Sequence, residues 1–339
     1  MKDFSEIIGN ETLLGKISSV IREGKLPHAI ILEGDIGTGK HKLALNIAAA
    51  LSCENRSDEI PCMRCKSCRK IFAKISPDVI YVKKEGDKAQ MTVDVIRQIR
   101  RDVRLVPNDL EKKVYIIEDA HLMNTQAQNA FLLTLEEPPS YVHFILICET
   151  AAALLETVRS RAQTFRLEPV SDDKIAEYLK SNSKEALALY NTSRSDFDTV
   201  VSSAAGSIGK ALSLLSEKER KPISDTRKLT ESFLYCLLSL KGRGAIDLIL
   251  SFSQKRDELS GQLTSIQTAI RDLLALKKAD NPPLCFFTDA GVAYELSTKH
   301  KASRLMKIYT LIESAKERLR LNSNVRLTLF SLASDCELI

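Results

Sequence analysis

Four cysteines, Cys53, Cys62, Cys65 and Cys68, fall within sixteen residues with spacings of x8, x2 and x2. Four thiolates suit tetrahedral Zn2+, and a shell of four protein ligands leaves no open position, so a site of this kind is structural rather than catalytic. Such a cluster carries a net charge of about −2, which the neighbouring Arg64, Lys66, Arg69 and Lys70 can offset. An iron–sulfur cluster and four unmetallated thiols are the competing readings.

Upstream lies Gly34-Asp35-Ile36-Gly37-Thr38-Gly39-Lys40-His41, which has the GxxxxGK spacing of a phosphate-binding loop. Gly34, Gly37 and Gly39 let the backbone approach a ligand closely. The N–H groups of a loop that includes Thr38 point inward, and Lys40 reaches the outer phosphates. A plain glycine turn is the alternative, but a strand before and a helix after favour the loop. In such loops the next residue is normally Ser or Thr, whose hydroxyl binds Mg2+. Here it is His41, and Mg2+ prefers oxygen donors in a strict octahedron.

A second acidic element follows. The apolar run Val114–Ile117 ends in Glu118-Asp119. In nucleotide hydrolases an Asp at this place helps hold Mg2+, and a following Glu polarises the attacking water. The inverted order displaces each carboxylate by roughly 1–1.5 Å. A misplacement of about 1 Å can cost around a hundredfold in rate. A strand end capped by two solvated acids is the plainer reading. Arg161, in Thr157-Val158-Arg159-Ser160-Arg161-Ala162, precedes another strand and is either a surface arginine or an arginine finger offered to a neighbour's phosphates.

These groups need a scaffold, and the first half has the pattern of a mostly parallel α/β sheet. Strands are expected at Ala29–Leu32, Val79–Val82, Val114–Ile117, Phe144–Cys148 and Thr164–Leu167, with helices at Lys40–Leu51, Val93–Val103 and Thr125–Leu135. After Glu168-Pro169 only helical patterns remain: Asp172–Leu179, Lys184–Ala188 and Ile208–Leu215. The polar stretch Ser216–Pro222 has the composition of a linker. Longer helices are expected at Leu229–Leu240, Ala245–Ser253, Leu259–Leu276 and Ala302–Leu319. In the last, Leu305, Ile308, Ile312, Ala315 and Leu319 follow the spacing of one buried face.

Composition narrows the class further. Apolar residues are 44% and charged residues 27% of the 339, which is ordinary for a globular chain and argues against long disorder. From Arg220 onward there are 19 basic against 13 acidic residues, so the C-terminal third holds the whole net surplus and best suits an anionic neighbour. No apolar run approaches the roughly 18 residues of a membrane span. The start, Met1-Lys2-Asp3-Phe4-Ser5-Glu6, lacks the apolar stretch of a signal peptide, so a cytoplasmic chain in a reducing compartment is expected. Cys148, Cys236, Cys285 and Cys336 then have the surroundings of small core residues.

In this order the segments resemble the bacterial DNA polymerase III clamp loader, a branch of the AAA+ family. Ile7-Ile8-Gly9-Asn10-Glu11 and Lys25-Leu26-Pro27-His28-Ala29 are similar to its N-terminal box. Leu132-Leu133-Thr134-Leu135-Glu136-Glu137-Pro138-Pro139, the four-cysteine insert after the loop's helix, and Ser160-Arg161-Ala162 in place of Ser-Arg-Cys also match. Leu321-Asn322-Ser323-Asn324-Val325-Arg326-Leu327 resembles the family's final collar helix.

The resemblance implies an α/β fold: an AAA+ P-loop domain with a parallel sheet over 1–168, carrying a four-cysteine zinc insert at 53–68. A small helical lid over 169–219 and an all-helical collar for oligomerisation over 220–339 follow. The family contains ATP-hydrolysing gamma/tau motors and a relative, delta-prime, that generally does not hydrolyse ATP but supplies an arginine finger. His41, the order Glu118-Asp119, and Gly209 in the sensor-2-like Ala205–Leu212, where the motor has arginine, bring this chain nearer the delta-prime type.

A delta-prime-like subunit of the DNA polymerase III holoenzyme helps load the sliding clamp onto primer–template DNA. Its implied partners are the gamma/tau and delta subunits in a hetero-pentamer, the clamp and the DNA. Arg161 then completes a neighbour's ATP site. Gly34, Gly37, Thr38, Gly39 and Lys40 hold ATP or ADP only weakly, with absent or very weak turnover, and Zn2+ is structural. Arg97, Arg100, Arg101 and Arg104 either face DNA or form a solvated helix face. An active gamma/tau-type motor and a zinc-bearing nucleic-acid-binding AAA+ protein outside replication are the two alternatives.

Overall fold

Short apolar runs bounded by turn residues can bury both faces only inside a covered parallel sheet. A computed structural model of the chain describes residues 3–55, 59–84, 86, 90–238, 248–279, 282–287 and 289–337. Its strands are β1 (Ala29–Glu33), β2 (Val79–Val82), β3 (Lys113–Ile117), β4 (Val142–Cys148) and β5 (Gln163–Arg166). They form one parallel sheet in the order β2-β3-β4-β1-β5. All five lie where the apolar runs place them. In β1, Ile30 and Leu32 face one core with Ile47, Ile116 and Ile145. Ala29 and Ile31 face the other, with Tyr115, Phe131 and Phe144. That split is the two-residue period of a strand covered on both sides.

The helices that cover this sheet include α1 (Glu11–Arg22), α2 (Lys40–Leu51), α3 (Lys66–Phe72), α4 (Val93–Asp102), α5 (Thr125–Glu136) and the short α6 (Glu156–Arg159). The chain divides into two compact units, 1–179 with 204–212, and 180–203 with 213–339. Helix α7 (Asp172–Asn182) begins in the first unit, which also holds most of α10 (Ile208–Ser213).

The described part of the second unit is helical throughout: α8 (Lys184–Thr192), α9 (Arg194–Ser203), α11 (Glu217–Leu238), α12 (Arg256–Ala275), α13 (Ala290–Lys299), α14 (Ala302–Arg320) and α15 (Val325–Glu337). Leu305, Ile308, Ile312, Ala315 and Leu319 of α14 are buried, as their spacing requires. The fully buried carboxylate of Asp272 accepts the N–H groups of Cys285 at 2.8 Å and Phe286 at 2.6 Å, which ties down the approach to α13. Among the described residues no helix is long and apolar enough to cross a membrane.

The segment Ser216–Pro222 is not a linker, because α11 starts at Glu217 and runs through Pro222. As the sixth residue of the helix, Pro222 gives up one backbone bond, to Lys218 O, which the length of α11 absorbs, and Glu217 and Glu219 suit the positive end of the helix dipole. Cys285 is exposed and Cys236 only partly buried, whereas Cys148 is a core residue; the side chain of Cys336 lies outside the described ones. Of the helices expected at 229–240 and 245–253, residues 239–247 lie outside the described ones.

Candidate nucleotide corner and metal centre

In a parallel sheet, ligands bind beyond the carboxyl ends of the strands, and three strands here end in polar groups at one such corner. Strand β1 runs into the loop of residues 34–39, β3 into Glu118-Asp119 and β4 into Glu149. Gly37 sits at φ +80°, where a Cβ would overlap Ser207 Oγ, so glycine is required on both counts. Thr38 Oγ1 donates to Asp35 O at 2.8 Å. Gly39, at φ +92°, leads into α2. Lys40 is buried, and its ammonium donates to Gly34 O at 2.5 Å and to Asp35 O at 2.7 Å. Burial pushes its pKa below the usual lysine value, although Glu149, Cys148, Asp35 and Asp119 oppose the shift.

A cavity of about 740 Å³ opens here, within the size range of small-molecule sites. The loop, His41, Asp119 and Glu149 are on its polar side, and Ile7, Ile8, Val170, Tyr178, Ile208 and Leu212 are among the residues of its apolar wall. The candidate loop residues thus converge. Sequence reasoning missed Glu149 and Cys148 as parts of this corner; their position at the end of a buried strand next to β1 is the signal that could have found them. Helix α10 lies against the loop, and a Cβ on Gly209 would be 3.7 Å from Gly37 Cα.

Where a hydroxyl and an aspartate would bind Mg2+, the chain has a different arrangement. His41 Nε2 is 3.9 Å and Lys83 Nζ 3.0 Å from the same oxygen, Glu118 Oε2. Mg2+ requires near-octahedral oxygen donors at about 2.0–2.1 Å. An imidazole in place of the hydroxyl and a carboxylate already paired with an ammonium do not fit that ion.

Arg161 follows α6 and lies outside this cavity's lining. Its Nη1 donates to Thr157 O and its Nη2 to Glu136 Oε1, both at 3.0 Å, and its side chain keeps 37% of its surface exposed. Glu136 is the last residue of α5 and belongs to the Leu-Glu-Glu-Pro-Pro segment. On α4, Val95, Ile96 and Ile99 are buried, which leaves Arg97, Arg100 and Arg101 exposed on the outer side, and Arg104, just past the helix, is exposed too; Arg97 pairs with Asp94 at 3.0 Å.

At the other end of α2 the four cysteines come together. Their Sγ atoms all lie within 4.8 Å of one another, and Cys62 and Cys68 are 4.0 Å apart. Zn–S bonds of about 2.3 Å place tetrahedral sulfurs roughly 3.8 Å apart, so the cluster can hold a metal ion and suits zinc. Backbone N–H groups already point at the sulfurs: Cys65 N donates to Cys62 Sγ at 3.4 Å and Cys68 N to Cys65 Sγ at 3.3 Å. Burial resists ionisation of Cys62, but the N–H groups of Arg64 and Cys65 win and bring its pKa down to about 6. Burial pushes the Cys53 and Cys68 thiols up. Of the nearby cations, Lys70 is paired with Asp109 at 2.7 Å.

Residues 9–171 match the family described as "DNA polymerase III, delta subunit". The chain is 36% identical over 180 residues to a DNA polymerase III subunit gamma of Buchnera aphidicola subsp. Schizaphis graminum, covering 53% of this chain and 48% of that one. It is 32% identical over 215 residues to the DNA polymerase III subunit tau of Bacillus subtilis, covering 63% and 37%. The match therefore spans about half or less of the length of these relatives. Among solved structures, a DNA polymerase III gamma-subunit-related protein of Thermotoga maritima aligns with a TM-score of 0.45 at 17% identity, covering 96% of this chain and 98% of that one.

Proposed function

Starting from its membership, through residues 9–171, of the clamp-loader family of AAA+ proteins, we propose that this chain is the delta-prime-type subunit of a DNA polymerase III clamp loader. In this reading residues 1–168 form a nucleotide-binding-like domain, 169–219 a lid and 220–339 a collar that joins gamma/tau and delta subunits. The assembly opens a sliding clamp and places it on primer–template DNA. The chain works there through what it lends its neighbour. A phosphoryl-transfer transition state spreads negative charge over its equatorial oxygens, and the planar, permanently charged Arg161 guanidinium can stabilise that charge in trans. Zn2+ on Cys53, Cys62, Cys65 and Cys68 keeps the insert folded and takes no part in the chemistry.

The observation that carries this reading is the corner where His41 and Lys83 both face Glu118. A subunit whose own phosphate corner lacks Mg2+ donors contributes to hydrolysis by completing someone else's site. A gamma/tau-type motor is the second reading, because the relatives reported above carry those names.

One reconstitution separates the two. Arg161→Ala in the assembled loader should leave assembly and zinc content intact. It should lower hydrolysis at the one interface it serves, where a finger supplied in trans is worth roughly 10³–10⁵ in rate, so that clamp- and DNA-stimulated turnover of the whole complex falls partially. Arg161→Lys should rescue poorly, since an ammonium lacks the planar fork. Arg159→Ala should matter less. Complexes of the Arg161→Ala chain that hydrolyse ATP and load clamps like wild type would refute the proposal.

A further inference from the structure

A nucleoside triphosphate brings a chain of negative charge into its site, and P-loop proteins neutralise the outer part with a lysine and a bridging Mg2+. This cavity supplies little of either. The Lys40 ammonium already donates to two carbonyls of its own loop, Gly34 O and Asp35 O. Lys42 faces Glu6 at 3.3 Å. Asp119 and Glu149 add two carboxylates to the lining. Glu118, beside them, has its Oε2 occupied by Lys83 at 3.0 Å, with the His41 ring 3.9 Å away. Ile7, Ile8, Val170, Ile208 and Leu212, by contrast, give the cavity an apolar wall against which a heterocycle can pack.

From this imbalance we infer that the cavity binds a nucleoside diphosphate without a divalent cation and rejects the triphosphate. The inference rests on the reading of this corner as a nucleotide site. A diphosphate can be met by the loop's N–H groups, with Lys40 releasing one of its two loop carbonyls to reach it, while the apolar wall holds the nucleoside. A third phosphate adds negative charge to a cavity that also holds Asp119 and Glu149 and has no metal to bridge it, and that repulsion should cost about tenfold or more in affinity. Lys83 neutralises Glu118 and the His41 ring stands where the hydroxyl would be, so added Mg2+ finds no free carboxylate–hydroxyl pair to bind.

The test is a calorimetric titration of the full chain with ADP and with ATP, each in EDTA and again in millimolar Mg2+. ADP should bind equally in both buffers, within about twofold, and ATP in EDTA should bind at least about tenfold more weakly than ADP. A tenfold gain for ADP on adding Mg2+, or ATP binding as tightly as ADP in EDTA, would overturn the inference. So would no ADP binding at all, an outcome that leaves the Arg161 reading standing, because that reading is tested separately in the assembled loader. The double variant His41→Ser with Glu118→Asp should acquire Mg2+-dependent tightening of about tenfold, the worth of one charge-assisted contact. If that variant, shown folded by its unfolding transition, stays indifferent to Mg2+, the assignment of these two residues is wrong.

Discussion

Helix α2 has a different kind of site at each end, and the two differ in how complete they are. At its N-terminus the glycine loop has the spacing of a phosphate site, with Gly37 and Gly39 at positive φ, but His41 stands where such a loop carries a hydroxyl, and Glu118 is paired with Lys83. Just past its C-terminus, Cys53 joins Cys62, Cys65 and Cys68 in a shell whose sulfurs lie within 4.8 Å of one another. A closed thiolate shell needs only proximity and deprotonation; N–H groups favour the second at Cys62, while at Cys53 and Cys68 burial opposes it and a bound metal would have to supply it. An open Mg2+ site needs specific oxygens at fixed distances, so a single substitution spoils it. The closed shell is specified by spacing within one short segment, whereas the open corner depends on which side chains several strands bring to it.

The largest effect should come from breaking the complete end. Cys68→Ser removes a buried ligand, and loss of a structural metal should cost on the order of 5 kcal/mol or more. Elemental analysis should show one zinc per wild-type chain and almost none in the variant, whose melting temperature falls sharply. A zinc-free wild-type chain of unchanged stability would cancel the contrast between the two ends.

A smaller effect tests whether the helix itself supports both. Ile47, in the middle of α2, is fully buried in the core shared with β1. Ile47→Ala should cost about 4 kcal/mol through a cavity, lowering the denaturant midpoint while zinc stays bound. Loss of zinc in the folded variant would mean that the insert depends on helix packing as much as on its ligands.

Acid should act on the sheet, away from either end. His143 in β4 is buried, with its Nδ1 3.3 Å from Pro27 O, and burial brings its pKa down to about 4. In the unfolded chain a histidine titrates near 6.5, so between roughly pH 6.5 and 4 the unfolded state binds more protons and stability falls as pH drops, by up to about 3 kcal/mol. His143→Gln should flatten that limb of a stability–pH curve. An unchanged slope would assign the acid sensitivity to other groups.

The smallest signal is expected at the incomplete end. ATP given to the isolated chain should be turned over no faster than in buffer. A rate that disappears on Lys40→Ala would make this corner a working ATPase and the chain a motor.

The strands were legible because Ala29–Leu32, Val114–Ile117 and Phe144–Cys148 are buried on both faces, and a residue run that must avoid water on two sides has to be apolar throughout. The cysteine spacing and the glycine loop were equally plain, since both are local and their chemistry tolerates few other residue types. Helices α9 and α13 escaped notice because each spends many positions on polar residues and buries only a few, leaving a weak period. Pro222 misled in the other direction: its usual meaning is a break, and only the assembled helix shows that this position tolerates it.

The same division runs through the candidate site. Residue types and spacing specified which groups could meet a phosphate or a metal, because those are properties of single side chains and short loops. That Lys83 reaches Glu118, that Glu136 holds Arg161 and that Gly209 lies against Gly37 came from the fold alone. Each of these contacts joins separate segments of the chain, brought within a few ångströms by the sheet's crossovers or, for Gly209, by the return of α10 to the first unit, and no local pattern of residues records such a meeting.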